Sequence, residues 1–211
     1  MADNLEGIKA APELLARAIR TAEDLARLDD TLLATELEDG EAPPLRVPSP
    51  TELESLLERH ARWVATAGRD GEQLDAGGLD LSHADLAGRV LTLMRGTGVC
   101  LRGADLRGAQ LQAASLTGAD LRSANLKMAD LRGSNLDRAN LIDANLERTK
   151  LCVLVTAKGA RVPATLIRAR LAGAVLTGTD FSGADLTAAD LTGCDRASAL
   201  FDGATLDGLR G

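Results

Sequence analysis

From position 81 to position 206, one phase of a five-residue period is held mostly by Leu or Phe. The phase is unbroken from Leu101 through Leu106, Leu111 and their successors to Leu151, and it resumes from Leu166 through Phe181 to Leu191. Two residues before each stands a small residue, such as Ala104, Ala109, Ala119 or Ala124, and directly before it Asp or Asn is common, as at Asp105, Asp120, Asn125 and Asp130. A fixed period marks a repeat architecture and outranks local readings. A period of five matches neither the roughly 3.6 residues of a helical turn nor the alternation of a strand. It requires a solenoid that turns a corner once per repeat.

Units such as Ala104-Asp105-Leu106-Arg107-Gly108 and Ala119-Asp120-Leu121-Arg122-Ser123 follow the pattern A-(D/N)-L-x-x. Over residues 75–211 the chain resembles the pentapeptide repeat family. The resemblance implies a mainly β fold, a right-handed quadrilateral β-helix in which four pentapeptides make one coil of about twenty residues. The residue chemistry agrees. An inward Leu stacked on the Leu of the next coil contributes about 1.5–3 kcal/mol, Asp or Asn before it bonds local backbone at a turn, and Gly at the last position suits a positive φ. Coils about 4.8 Å apart give a rod about 30 Å long.

Sorting the repeat centres by twenty yields two intact ladders, Leu86 to Leu206 and Leu91 to Leu191, and two that are interrupted at Gly96, Thr156, Arg161 and Arg196. A charged Arg161 in an apolar interior costs several kcal/mol, so residues 156–163 are expected to bulge outward. Because the phase survives across them, the expectation is one distorted coil at 152–163 with nothing inserted.

The first third reads differently. Residues 1–40 form an amphipathic helical segment, with Leu15, Ile19, Ala22, Leu25, Leu28 and Leu32 at helical spacing over 12–37. Residues 41–48 are a Pro-rich linker. Ser49-Pro50-Thr51-Glu52 has the form of a capping box and opens a helix within 49–74. A solenoid end exposes strand edges and apolar side chains, so this helix, with Trp63, is expected to cap the first coil.

Residues 75–211 carry fifteen acids and sixteen bases, whereas residues 1–74 carry sixteen and eight. The acidity of the chain therefore lies in its helical part. Arg102, Arg107, Arg122, Lys127 and Arg132 each follow a central Leu and are expected to form a basic patch, a candidate contact for an acidic partner. No aromatic residue interleaves it, which argues against single-stranded nucleic acid, and nucleic acid is a less expected partner than protein.

A second candidate contact is the distorted corner, where Val153 and Val155 fall in outward slots beside Lys158 and Arg161. A third is the far end, where Phe201 and Leu206 are candidate residues for an end-to-end homodimer. Cys100, Cys152 and Cys194 have no metal-ligand spacing, Cys100 and Cys152 being read as exposed thiols and Cys194 as a small core residue. His60 and His83 lie far apart, no phosphate loop is present, and a Leu-packed solenoid leaves no pocket. No cofactor, metal or catalytic residue is expected.

The reading is a non-catalytic protein-protein interaction or scaffold module with an unidentified protein partner. No apolar run or basic leader points to a membrane, and a bacterial cytoplasmic location is expected. The alternative that the resemblance implies is a DNA-mimic modulator of DNA gyrase or topoisomerase IV. A near-neutral solenoid lacking loop insertions imitates a polyanion poorly.

Overall fold

The computed structural model describes residues 44–211, so the expected helix over 12–37 and the start of the linker lie outside the described residues. The five-residue unit builds itself from three kinds of backbone bond. The Leu106 N–H donates to the Asn125 carbonyl and the Gly108 N–H to the Lys127 carbonyl, at 2.8 and 2.9 Å. The Asn125 N–H returns to Ala104 at 2.9 Å, and the Ala109 N–H closes the turn onto Leu106 at 3.0 Å. The second residue after each central Leu takes a left-handed φ, as Gly108 (63°) and Ser123 (55°) do. Asp105 Oδ1 accepts the Arg107 N–H at 3.1 Å, and the same contact recurs at Asp180–Ser182 and Asn145–Glu147.

Single-residue parallel bridges Asp80↔Cys100, Asp85↔Asp105, Val90↔Gln110 and Arg95↔Ser115 make four contacts per coil, so each coil has four sides. The sides are too short for longer strands, because every fifth residue turns. The inward Leu and Ala side chains from Leu101 to Leu151 are at most 1% exposed. Where a polar residue replaces the inward Ala, it bonds a carbonyl: Thr149 Oγ1 donates to Leu126 and Thr179 Oγ1 to Leu146, each at 2.7 Å.

The register corrects the expectation of a merely distorted coil. From Asp75↔Arg95 to Asp130↔Lys150 each bridge joins residues twenty apart, but Asn135↔Thr165, Asn140↔Arg170, Asn145↔Val175 and Lys150↔Asp180 are thirty apart. Spacing returns to twenty at Thr165↔Asp185. Ten residues are therefore inserted between Lys150 and Thr165, and because ten is twice five the phase passes through unchanged. The ladders change partners accordingly: Leu146 meets Leu176, Leu136 meets Leu166, Leu141 meets Leu171, and Leu151 meets Phe181. Thr156 and Arg161 leave the ladders altogether. At Gly96 the gap is filled from the sides, since a Cβ there would lie 3.1 Å from Met94 Cε and Val99 Cγ1. Met94 and Val99 themselves occupy slots where Ala was expected.

The first coil is closed by two devices. Arg46, inside the expected linker, adds to its edge: the Arg46 N–H donates to Gly78 (2.9 Å) and Asp80 N–H to Arg46 (2.8 Å). Helix α1, Pro50–Ala65, then crosses the end, its N-cap Ser49 Oγ accepting the Glu52 N–H at 3.2 Å. The other half of the capping box is diverted, because Glu52 pairs with Arg46 at 2.5 Å. Leu53, Leu56 and Leu57 meet the solenoid core, whereas Trp63 packs to the side with Leu93 and Ala67. Gly71 permits the return from the helix: a Cβ there would sit 2.2 Å from the Arg59 carbonyl oxygen.

His60 lies fully buried under this cap, stacked on Trp63 at 5.8 Å, and its Nδ1 accepts the Leu74 N–H at 3.0 Å. Burial lowers its pKa to about 4, opposed more weakly by the Thr92 backbone. The unfolded imidazole binds a proton near pH 6.5 that the folded one refuses until about pH 4, so cap stability falls with pH across that window. The loss approaches about 3 kcal/mol below the window. Trp63 is the single tryptophan; its emission is expected to shift reversibly in that range, and His60→Gln to flatten the dependence.

Candidate interaction surfaces

The inserted residues form a two-stranded antiparallel hairpin. Its strands, β1 (Leu154–Val155) and β2 (Arg161–Val162), pair Leu154 with Val162 and Val155 with Arg161. The Thr156 N–H donates to Ala160 at 2.9 Å and Gly159 takes φ 79°, which closes the tip. The hairpin lies against an outer face of the solenoid. Leu154 is 5% exposed and joins Leu93, Ala113, Val162 and Trp63 in a second apolar cluster. Along that face the outward residues diminish from Leu93 to Ala113 to Gly133, and a Cβ on Gly133 would be 2.8 Å from Leu154 Cβ. Val153 sits likewise against Gly183.

Of the two apolar residues expected in outward slots at this corner, Val155 is 57% exposed. Lys158 and Arg161 are exposed beside it, while Val153 is half-buried. The hairpin thus has an apolar foot and an exposed edge bearing one Val and two cations.

The expected basic patch is not an unopposed one. Arg102 and Arg122 both reach Asp120 (2.9 and 2.6 Å), Arg107 reaches Asp105 (2.5 Å), Lys127 reaches Glu147 (2.7 Å) and Arg132 reaches Asp130 (2.6 Å). The cause is local: the carboxylate that accepts the turn N–H of Arg107 also receives its guanidinium. Hydrogen bonds from Arg122 and Arg107 hold the Asp120 and Asp105 carboxyls below their ordinary range. Exposed pairs of this kind contribute about 0–1 kcal/mol each, but they cancel the field an acidic partner would feel.

The thiols differ from expectation in burial. Cys100 is buried and Cys152 half-buried, and desolvation raises both, Cys152 to about 11. Cys194, in an inward slot, donates its S–H to the Leu171 carbonyl at 3.0 Å. All three are protonated near neutral pH, which suits none of them to nucleophilic attack. Among the described residues no three metal-ligating side chains converge, and no helix is long and apolar enough to cross a membrane.

Phe201 of the last coil stacks at 5.2 Å on the fully buried Phe181 of the coil before. Phe201 is half-buried, and Leu206 is 41% exposed. One concentration of charge escaped the sequence reading: Arg168, Arg170 and Arg210 line an open depression of about 330 Å³ with Asp190. Its signal lies in the ordinary coil spacing: Arg170, Asp190 and Arg210 are twenty apart and stack in one column, with Arg168 two residues from Arg170.

A family model described as pentapeptide repeats matches the chain in eight copies, over residues 78–112, 114–151 and 164–195. No curated protein matches. Among solved structures, a pentapeptide repeat protein of the Arabidopsis thaliana thylakoid lumen is 34% identical, with 53% of this chain and 70% of that one covered and a TM-score of 0.47. HetL, involved in heterocyst differentiation regulation in the cyanobacterium Nostoc, is 25% identical, with 66% and 77% covered and a TM-score of 0.25. QnrB1, a plasmid-mediated fluoroquinolone resistance protein, is 16% identical, with 63% and 83% covered and a TM-score of 0.27.

The stretch that the family match skips, between 151 and 164, is the hairpin. Its seating on Gly133 is testable by comparison with Gly118, which has nearly the same φ (65° against 67°) but open space at its Cβ. Gly118→Ala is expected to pay only the backbone strain, and Gly133→Ala a further ~1–3 kcal/mol of overpacking. Denaturant unfolding measures the difference, and faster tryptic cleavage at Lys158 and Arg161 reports the loosened hairpin.

Proposed function

Because the chain belongs to the pentapeptide repeat family, whose members fold as right-handed quadrilateral β-helices, we propose that it is a non-catalytic protein-interaction module. The solenoid serves as a rigid holder and the hairpin at 152–163 as the principal contact. The observation that carries this reading is the division of the hairpin into a fixed foot and a free edge. Leu154 and Val162 join the apolar cluster on the coil, while Val155, Lys158 and Arg161 stay exposed. Holding the edge on a packed scaffold reduces the ordering cost of binding. An apolar side chain between two cations suits an acidic protein surface with an apolar centre.

Two further parts of the reading rest on less. Phe201 and Leu206 at the last coil support end-to-end pairing with a second copy, and a bacterial cytoplasmic setting fits a chain that keeps three free cysteines. The gyrase or topoisomerase alternative gains from the insertion, since the solenoid carries a projecting hairpin at 152–163. Charge still opposes it: residues 75–211 carry sixteen bases against fifteen acids, and a duplex mimic needs a strong excess of acids.

The test is a cross-linked affinity purification of the full chain from its own cytoplasm, run beside a Val155→Glu, Arg161→Glu variant. A protein partner whose capture falls about tenfold or more in the variant is expected, as for a contact at the centre of an interface. Equal capture by both proteins overturns the hairpin reading, and topoisomerase subunits dominating the catch support the alternative. Sedimentation at micromolar concentration is expected to show a dimer that Phe201→Glu dissociates.

A further inference from the structure

Cations are distributed unequally along the solenoid. Arg102, Arg107, Arg122, Lys127 and Arg132 are all paired, but among the described residues Arg138, Arg168, Arg170 and Arg210 have no carboxylate within ion-pair distance. These four share one corner. Arg138 and Arg168 occupy successive coils in the same left-handed slot, with φ of 58° each, the Arg138 N–H donating to Ile167. Arg170 and Arg210 stand in the adjoining column on either side of Asp190. All four are exposed.

The acids nearest them are engaged. Asp190 accepts the Thr192 N–H and hydroxyl at 3.0 and 2.6 Å, and Asp137 accepts the Ile167 N–H at 2.9 Å. Asp207 stands in the neighbouring column of the last coil and leaves the excess positive. Half-buried Ile167 and Ile142 flank the arginines on the two sides of the corner.

We propose that this corner is the seat of the chain's own residues 1–43. Three observations support that occupant. The segment holds eleven acids and four bases, for a net charge of −7, opposite in sign to the corner. The chain enters the described region on the same corner, because Arg46 pairs with Leu79 and the ladder continues through the columns of Arg138, Arg168 and Arg170. The length also suits. Counting coils at about 4.8 Å, Arg170 lies about 24 Å and Arg210 about 34 Å from Arg46, while a helix over 12–37 measures about 39 Å. Between the entry point and the arginines the left-handed slots hold Gly78, Gly98 and Gly118, and among the described residues nothing lies within 4 Å of where their Cβ atoms would be. The apolar stripe of the helix finds Ile142 and Ile167, and its acids find the guanidinium groups. The cationic corner is then covered within one molecule and is uncovered when a stronger polyanion, or salt, displaces the segment.

The test uses the full chain and trypsin, which cuts at Arg17, Arg20 and Arg27. These sites are expected to resist cleavage at low salt. Arg168→Glu with Arg170→Glu, or high salt, is expected to accelerate cutting about tenfold as the exposed population rises. Adding Asp29→Lys and Asp30→Lys to the charge-reversed protein restores protection. Unchanged Trp63 emission shows that the cap and first coils remain folded. Rapid cleavage of the unaltered protein, or the same rate in the reversed one, overturns the proposal. Protection that appears only as protein concentration rises, with a dimer in sedimentation, also overturns it and assigns the segment to a second copy.

Discussion

The rest of the molecule depends on one requirement: each coil's backbone must find its partners one coil further along. Central Leu residues such as Leu106, Leu126 and Leu171 donate to a carbonyl in the next coil, and preceding residues such as Asn125, Asn145 and Asp190 donate back to the coil before. A buried donor without an acceptor costs about 1–3 kcal/mol, so an insertion is tolerated only if the chain returns to the same side at the same height. The ten-residue hairpin satisfies this by pairing with itself, Leu154 with Val162 and Val155 with Arg161. It consumes no ladder bond and displaces no Leu from the core. The solenoid continues as though the hairpin were absent.

That self-sufficiency explains what could be read in the sequence and what could not. The inward Leu and Ala, the Asp or Asn turns and the left-handed slots all follow from a period that local sterics enforce, while the four-sided coil comes from the family resemblance. Coil register does not, because a period of five is blind to an insertion of ten. Arg161 and Thr156 were legible as misfits in their ladders; that they lay outside the ladders altogether was visible only from pairs such as Asn135↔Thr165. The larger residues Met94 and Val99 beside Gly96 were hidden for another reason. Volume in a packed core is shared between neighbours, and a slot-by-slot reading treats each as separate.

Charge follows the same division between local and non-local. In the run Asp-Leu-Arg, the carboxylate that holds the turn is two residues from the guanidinium, and the two close on each other at Asp105–Arg107, Asp120–Arg122 and Asp130–Arg132. Those arginines are neutralised by their own repeat. Arg138 and Arg168 follow Asp137 and Ile167 in the left-handed slot instead, where no turn carboxylate of the same repeat is held for them. Arg170 and Arg210 stand in the position before the centre, where Asp or Asn would otherwise hold the turn, so the slot a cation occupies shapes its pairing and counting bases along the sequence misplaces surface charge.

The outward slots are also where the molecule differs from an ideal repeat. One column descends from Leu93 through Ala113 to Gly133 over three coils, and that descent fits what lies on each: the side of the cap at Leu93, then the hairpin's foot at Gly133. Residues that contribute nothing to the ladder thus decide which elements the rod can carry and at what height. Since the coil spacing is nearly invariant at about 4.8 Å, a side chain's column and coil number fix its place on the surface. The core specifies a ruler, and the outward slots specify what is mounted on it. A family with one core and many surfaces is the consequence, because substitutions in these slots leave the backbone ladder intact.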